Sequence, residues 1–130
     1  MQREKSKNTN KNSKTDFKRR AYLFALEIIE LVDSFPNRKV YWVISDQLLR
    51  SATSIGANII EAQAASSKRD FVNFFTHSLK SANETKFWLG LLRDSGKADK
   101  DKINKLLQEV TEFSNILAAS ILTAKGKRKF

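Results

Sequence analysis

The sequence predicts an all-α protein, an antiparallel up-down four-helix bundle. Two observations carry this prediction. Proline occurs once and glycine four times in 130 residues, which is too few turn-forming residues for an all-β fold. Apolar residues instead recur every three or four positions along four segments of about 20–28 residues, the spacing of amphipathic helices. Short polar connections between these segments favour antiparallel neighbours.

The first two helices are separated by the only proline. Thr15 or Asp16 is expected to cap the first helix at its N-terminus. Pro36 ends this helix, because proline lacks a backbone N–H and restricts the preceding residue. The second helix is expected over residues 40–65. The apolar stripes are Phe17, Ala21, Phe24, Ile28, Leu31 and Phe35 in the first helix, and Ile44, Leu48, Ala52, Ile55, Ile59 and Ala62 in the second.

The last two helices have clear start and stop signals. Ser67 begins a capping box for the third helix, and Gly96 suits the position after its end. Asp99 or Asp101 opens the fourth helix, which stops at Gly126. Their stripes are Phe71, Phe74, Phe75, Leu79, Ala82, Leu89 and Leu92 in the third helix, and Ile103, Leu107, Val110, Phe113, Leu117, Ile121 and Ala124 in the fourth.

The formal charge of +10 is concentrated at the two ends of the chain. Residues 1–20 have a net charge of +6 and residues 125–130 a net charge of +4, whereas residues 21–124 balance. Residues 1–15 contain no apolar residue after Met1, so they cannot offset their ordering entropy by burial. We therefore expect a disordered basic arm at 1–15, a bundle at 16–125 and a basic tail at 126–130.

Cationic ends of this kind favour a polyanionic partner. Binding to the phosphates of RNA or another nucleic acid would gain affinity by releasing counterions. Two alternatives remain: the ends keep the protein in solution, or they attach to anionic lipid. The candidate phosphate-binding residues are Lys5, Lys7, Lys11, Lys14, Lys18, Arg19, Arg20, Arg50, Lys68, Arg69, Lys125, Lys127, Arg128 and Lys129, of which Arg50, Lys68 and Arg69 are equally consistent with solvated side chains.

Composition disfavours most kinds of active site. Cysteine is absent and His77 is the only histidine, so thiol catalysis and cysteine zinc sites are excluded. There is no Gly-rich phosphate loop and no Ser-His-Asp arrangement. An enzyme, a metal and a cofactor are therefore not expected. No apolar run approaches the roughly 18 residues of a membrane span and no signal peptide is recognisable, so we expect a soluble cytoplasmic protein without a membrane partner.

Polar residues recur beside the apolar stripes of the second and third helices. They could be metal ligands or a general acid and base, or they could form an interhelical hydrogen-bond network. Carboxylate metal sites in bundles use Glu-x-x-His, and Phe74 stands where that glutamate would precede His77. The network is therefore favoured, and its predicted members are Gln47, Ser54, Asn58, Glu61, Ser81 and Glu84.

The second and third helices also carry more apolar residues than one core face needs. Self-association would cover this surface, since large exposed apolar patches are uncommon on monomers. The alternative is that these residues form the rim of a monomer core. The residues concerned are Trp42, Val43, Leu49, Ile60, Val72, Phe87, Trp88 and Leu91.

The segment QLLRSATSIGANIIEA at residues 47–62 resembles a family signature. The family comprises bacterial four-helix-bundle proteins encoded in intervening sequences of 23S rRNA genes. The matching positions are Gln47, Arg50, Ser54, Ile55, Asn58, Ile59 and Glu61. Downstream, DFVNFFTHSLKSANE resembles the family's aromatic segment ending in S-x-x-E, at Ser81 and Glu84. Ala62 departs from the family, which usually has glycine after the signature glutamate.

The resemblance implies a ring-shaped homopentamer. The wider family includes accessory variability determinant proteins of diversity-generating retroelements, which are basic pentamers that bind nucleic acid and a reverse transcriptase. The sequence thus suggests a non-enzymatic accessory protein that binds RNA or an RNA/cDNA hybrid and assists a reverse transcriptase. The alternative is an intervening-sequence protein that acts as a protein–protein assembly scaffold, its tails serving only solubility.

Overall fold

The computed structural model describes residues 13–126, with side chains from Asp16 onward. These residues form four helices: α1 (Ser13–Asp33), α2 (Lys39–Gln63), α3 (Lys68–Asp94) and α4 (Lys100–Ala124). No strand occurs within this range. Each short connection reverses the chain, so consecutive helices pack side by side in opposite directions. The predicted all-α four-helix class is confirmed, and the packing is that of a bundle.

The four helices differ in how extensively they pack against their neighbours. α2 packs against both α1 and α3, and α3 packs against α4, whereas α1 and α4 touch over a short stretch. The core between them is mainly apolar and follows the predicted stripes. Its most deeply buried large apolar side chains are Phe24, Ile28, Leu48, Ile55, Ile59, Leu89, Leu92, Ile103, Val110, Phe113 and Leu117.

The predicted boundaries of α3 and α4 are confirmed by their capping contacts. The Ser67 hydroxyl accepts a hydrogen bond from the Asp70 backbone N–H at 3.1 Å. Asp99, one of the two predicted candidates, accepts from the Lys102 N–H at 2.9 Å. Gly96 follows the end of α3 with a φ of +73°, the left-handed conformation that glycine adopts without steric penalty.

Two boundaries differ from the prediction. α1 begins at Ser13, so neither Thr15 nor Asp16 precedes the helix as its cap. Asp16 lies inside the first turn, where its negatively charged carboxylate interacts favourably with the positive end of the helix dipole. α2 ends at Gln63, two residues before the predicted limit, because the Ala64 N–H bonds to the carbonyl three residues earlier and tightens the last turn.

No helix within residues 13–126 has both the length and the apolarity needed to cross a bilayer.

Candidate nucleic-acid interface

The topology brings three distant basic segments to one end of the bundle. With four alternating helices, the start of α1, the end of α4 and the α2–α3 turn share an end. The Lys18 ammonium donates to the Gln63 side-chain carbonyl at 3.2 Å, which ties the start of α1 to the end of α2. We call this end the basic pole. Its cationic side chains among the described residues are Lys18, Arg19, Lys68, Arg69 and Lys125.

The cations of the basic pole are mostly exposed. Arg19, Lys68, Arg69 and Lys125 are exposed, and Lys18 is half-buried. Within residues 16–126 none of the five forms an ion pair. The carboxylates at the same end are fewer: Asp16, Glu61 and Asp70.

Arg20 was predicted to bind phosphate, and the structure gives it a different role. Its Nε and Nη2 donate to the two carboxylate oxygens of Glu109 at 3.0 and 2.7 Å. Nη2 also donates to Glu112 at 2.6 Å, and the guanidinium lies 5.4 Å from the centre of the Phe113 ring. These contacts, the Glu109 hydrogen bonds first, raise the pKa of Arg20 above its already high ordinary value. Arg20 therefore fastens α1 to α4.

Arg50 also lies away from the basic pole. It is on α2, 13 residues before Gln63, which is about 20 Å along the helix at 1.5 Å per residue. Its guanidinium pairs with Asp46 at 3.0 Å, and both side chains are largely exposed. The structure does not join Arg50 to the other candidate phosphate-binding residues.

The structure describes little of the predicted basic arm. Residues 13–15, which we assigned to the arm, belong to α1, and Lys14 lies in the first turn of that helix, although its side chain is outside the described part of the chain. The rest of the predicted arm is outside the described range. Both undescribed ends connect to the bundle at the basic pole. The remaining candidates outside the range are Lys5, Lys7, Lys11, Lys127, Arg128 and Lys129.

Three of the six predicted network residues come together between α2 and α3. The Ser81 hydroxyl donates to the Ser54 hydroxyl at 2.9 Å, and the Asn58 amide donates to the same oxygen at 2.9 Å. The others stand apart. Glu84 is exposed and accepts only from the Trp88 indole, at 3.2 Å, and the side chains of Gln47 and Glu61 form no hydrogen bond within residues 16–126.

The deepest part of this contact was not predicted from the sequence. The Thr85 hydroxyl lies 2.9 Å from the Ser51 hydroxyl, and the Ser78 hydroxyl donates to the Ile55 carbonyl at 2.9 Å. Ser78 and Thr85 are fully buried. Their spacing of three and four residues around Ser81 was the available signal. Within the described residues, every buried side-chain nitrogen and oxygen has a partner, so this arrangement is a satisfied structural contact.

The residues considered for metal or acid–base chemistry do not form a cluster. His77, Glu61 and Glu84 are exposed. No group of three or more histidine, aspartate or glutamate side chains within residues 16–126 is placed to hold a metal ion.

Apolar side chains also remain exposed on the sides of the bundle. A groove of about 620 Å³ lies between α1 and α2, and its lining includes Ala21, Tyr22, Gly56 and Ile60 together with the cations Lys18 and Arg19. Tyr22 and Ile60 are 64% and 53% exposed. Exposed apolar side chains also lie on α3, at Phe87 and Leu91, and near the start of α2, at Val43, and we call this set the ridge. Leu49, Val72 and Trp88, also predicted to be outside the core, are instead half-buried.

Comparison with known proteins gives the family. The model of the family described as "23S rRNA-intervening sequence protein" matches residues 13–119, which is most of the chain. This chain belongs to that family. The match confirms the family indicated by the signature at residues 47–62. Of the basic pole, the family match includes Lys18, Arg19, Lys68 and Arg69 and stops before Lys125.

A solved relative supports the fold and the family. It is the 1.70 Å crystal structure of a protein with unknown function from the S23 ribosomal protein family of Bacteroides thetaiotaomicron. The two chains are 38% identical, with a TM-score of 0.76, and the alignment covers 81% of this chain and 97% of that one. No curated protein matches this chain.

Proposed function

We propose that this member of the 23S rRNA-intervening sequence protein family is a non-enzymatic module that binds nucleic acid at its basic pole. The observation that carries the proposal is the convergence of Lys18, Arg19, Lys68, Arg69 and Lys125 at one end of the bundle, where both cationic chain ends also attach. Cations on a short, shared surface neutralise phosphates and release counterions. Contacts of this kind position a strand but do not read its sequence. The ligand class in this proposal, RNA or an RNA/cDNA hybrid, follows from the resemblance to the accessory proteins of the wider family.

The proposal extends to assembly as a homopentameric ring. The groove between α1 and α2 and the ridge on α3 are different surfaces on different sides of the bundle. A contact of one with the other is heterologous, and heterologous contacts that close give rings. Five chains of +10 each give a formal charge of +50, a strong field for steering polyanions.

In this proposal the ring assists a reverse transcriptase, as the accessory proteins of diversity-generating retroelements do in the wider family. A pentamer with this charge would hold template RNA or its cDNA hybrid close to the polymerase.

The second candidate is a protein–protein assembly scaffold whose tails serve only solubility. The exposed side chains of Phe87, Val43 and Tyr22 favour it, because they are 58%, 54% and 64% exposed in the single chain and apolar anchors of this kind dominate protein interfaces. Capture of a reverse transcriptase that survives nuclease and high salt would support the scaffold over nucleic-acid binding.

The test of nucleic-acid binding is a fluorescence-anisotropy titration of the full chain with single-stranded RNA at several salt concentrations. Each phosphate neutralised on a single strand contributes about −0.7 to the slope of log K against log salt. We expect a slope of about −3.5 or steeper if the five cations of the basic pole all engage. Absence of binding at low ionic strength would refute the proposal.

A further inference from the structure

The end of the core opens to solvent at the basic pole. The opening is a cavity of about 250 Å³ between the start of α1, the end of α2 and the start of α3. Its volume is below the range of roughly 300–1,000 Å³ that is usual for drug-sized ligands. The lining is apolar except for one amide, and includes Phe17, Ile59, Ala62, Gln63, Phe71 and Phe75.

Three phenylalanine rings line this opening, and they are not equally covered. Phe17 and Phe75 are each only 8% exposed. Phe71 is half-buried and lies against Phe75, with ring centroids 4.4 Å apart and an interplanar angle of 31°. Phe71 is therefore the aromatic side chain that an incoming flat group would meet first.

Polar and cationic groups stand at the rim. The Gln63 amide is exposed, and its carbonyl accepts from the Lys18 ammonium at 3.2 Å. Lys68 and Arg69 precede Phe71 by three and two residues, in the first turn of α3, and both are exposed. An apolar aromatic opening is thus bordered by an amide and by cations from two helices.

We infer that this opening receives an unpaired nucleobase of a single strand, while Lys18, Lys68 and Arg69 hold the adjacent phosphates. The inference rests on the proposed nucleic-acid binding and deepens it. Every base has a π-face that stacks on an aromatic side chain, and its polar edge can reach an amide such as Gln63. The bases of an intact duplex are stacked inside the helix and cannot enter. The basic pole therefore binds single strands in preference to duplexes.

The experiment compares two labelled probes that have the same number of phosphates. One is a twelve-nucleotide oligouridylate, and the other is an abasic twelve-mer. The full chain, its Phe71→Leu variant and a Phe35→Leu control are titrated by fluorescence anisotropy. Leucine keeps the apolar character of position 71 and removes the ring. Phe35 is a half-buried phenylalanine like Phe71, but it lies in the α1–α2 connection at the opposite end of the bundle. Circular dichroism melting curves check that all three chains fold.

We expect the wild-type chain to bind the oligouridylate more tightly than the abasic probe. Phe71→Leu should weaken oligouridylate binding about five- to a hundredfold, the range of one lost base–aromatic stack. It should leave abasic binding unchanged, and Phe35→Leu should alter neither. Equal affinities of the wild-type chain for the two probes, or an equal loss for both in Phe71→Leu, overturn the nucleobase site alone. Failure of the wild-type chain to bind either probe at low salt overturns the proposed function, and the inference with it.

Discussion

Arg20 and Glu109 form a two-point contact between helices that otherwise barely meet. Two guanidinium nitrogens reach the two carboxylate oxygens at 3.0 and 2.7 Å, across 89 residues of sequence. Glu112 adds a third hydrogen bond at 2.6 Å. Bidentate pairs fix geometry as well as charge. This contact, together with the packing of Phe17 and Phe24 against Phe113, closes the bundle between its first and last helices.

Arg20→Met should lower the free energy of unfolding by about 1–2 kcal/mol, because a partly buried, hydrogen-bonded charge contributes more than an exposed one. Urea denaturation measures the change. The matched control is Arg50→Met, whose partner Asp46 is exposed. Its loss should stay within about 0.5 kcal/mol. Equal losses in the two variants would show that Arg20 does not fasten α1 to α4.

Thr85→Val tests the buried contact between α2 and α3. Valine keeps the shape of threonine but removes the hydroxyl 2.9 Å from that of Ser51. The expected loss is about 1–2 kcal/mol, because the buried Ser51 hydroxyl loses its hydrogen bond to α3 and keeps only the one to the Leu48 carbonyl of its own helix. Thr53→Val is the control, since the Thr53 hydroxyl is exposed and bonds only within its own helix. In urea denaturation, Thr53→Val should lower the free energy of unfolding by less than about a third of the loss expected for Thr85→Val. A neutral Thr85→Val would contradict the structural role of this contact.

Gly96 and Gly90 should respond in opposite directions to alanine. Gly96 has a φ of +73° and lets the Lys97 N–H donate to the Leu92 carbonyl at 3.0 Å. Gly96→Ala should therefore destabilise by about 1 kcal/mol. Gly90 is inside α3 with nothing within 4 Å of an added Cβ, so Gly90→Ala should stabilise by up to about 1 kcal/mol. Thermal melting of both variants gives the two signs, and the same sign for both would contradict this account.

The heterologous ring makes a specific prediction about mixtures. Ile60→Asp places a negative charge in the groove, and Phe87→Asp places one on the ridge, so each variant loses one of the two contact surfaces. Each variant alone should be monomeric by light scattering or native mass spectrometry. A mixture of the two should form dimers but no ring, because one intact groove and one intact ridge remain.

The control for the mixing experiment is Leu122→Asp, which changes an exposed leucine of α4 away from both surfaces and should keep the wild-type mass. A monomeric wild-type chain would contradict the assembly. Rings formed by Ile60→Asp alone would contradict the assigned surfaces.

The sequence predicted the fold well, because the fold depends on local patterns. The apolar stripes, Ser67 and Gly96 are readable within a few residues. The ion pair of Arg20 could not be predicted, because its two carboxylates lie about 90 residues away on a helix that only the folded chain brings close. Gln47 was predicted to join the hydrogen-bond network because it shares the helical spacing of Ser54 and Asn58. Spacing shows which side of a helix a residue lies on, but it does not show which polar group of the neighbouring helix lies opposite.

The basic pole could be predicted only in parts. The two cationic chain ends were evident from charge counts, and Lys68 and Arg69 were among the candidate phosphate-binding residues without being placed beside those ends. In a bundle with an even number of alternating helices, the two chain ends and the α2–α3 turn lie at the same end. The basic pole could therefore have been predicted by combining the number of helices with the charge pattern. The opening beside Phe71 could not be predicted, because its walls come from three helices.

The most direct measurement compares two charge reversals of equal size in RNA binding. Lys68→Glu with Arg69→Glu changes the basic pole, and Lys100→Glu with Lys105→Glu changes exposed residues near the start of α4, at the opposite end. The account predicts that the pole variant loses on the order of tenfold to a hundredfold in affinity for single-stranded RNA at moderate salt. The opposite-end variant should lose a few-fold at most. Equal losses in the two variants would show that affinity follows net charge alone, which would contradict a binding site at the basic pole.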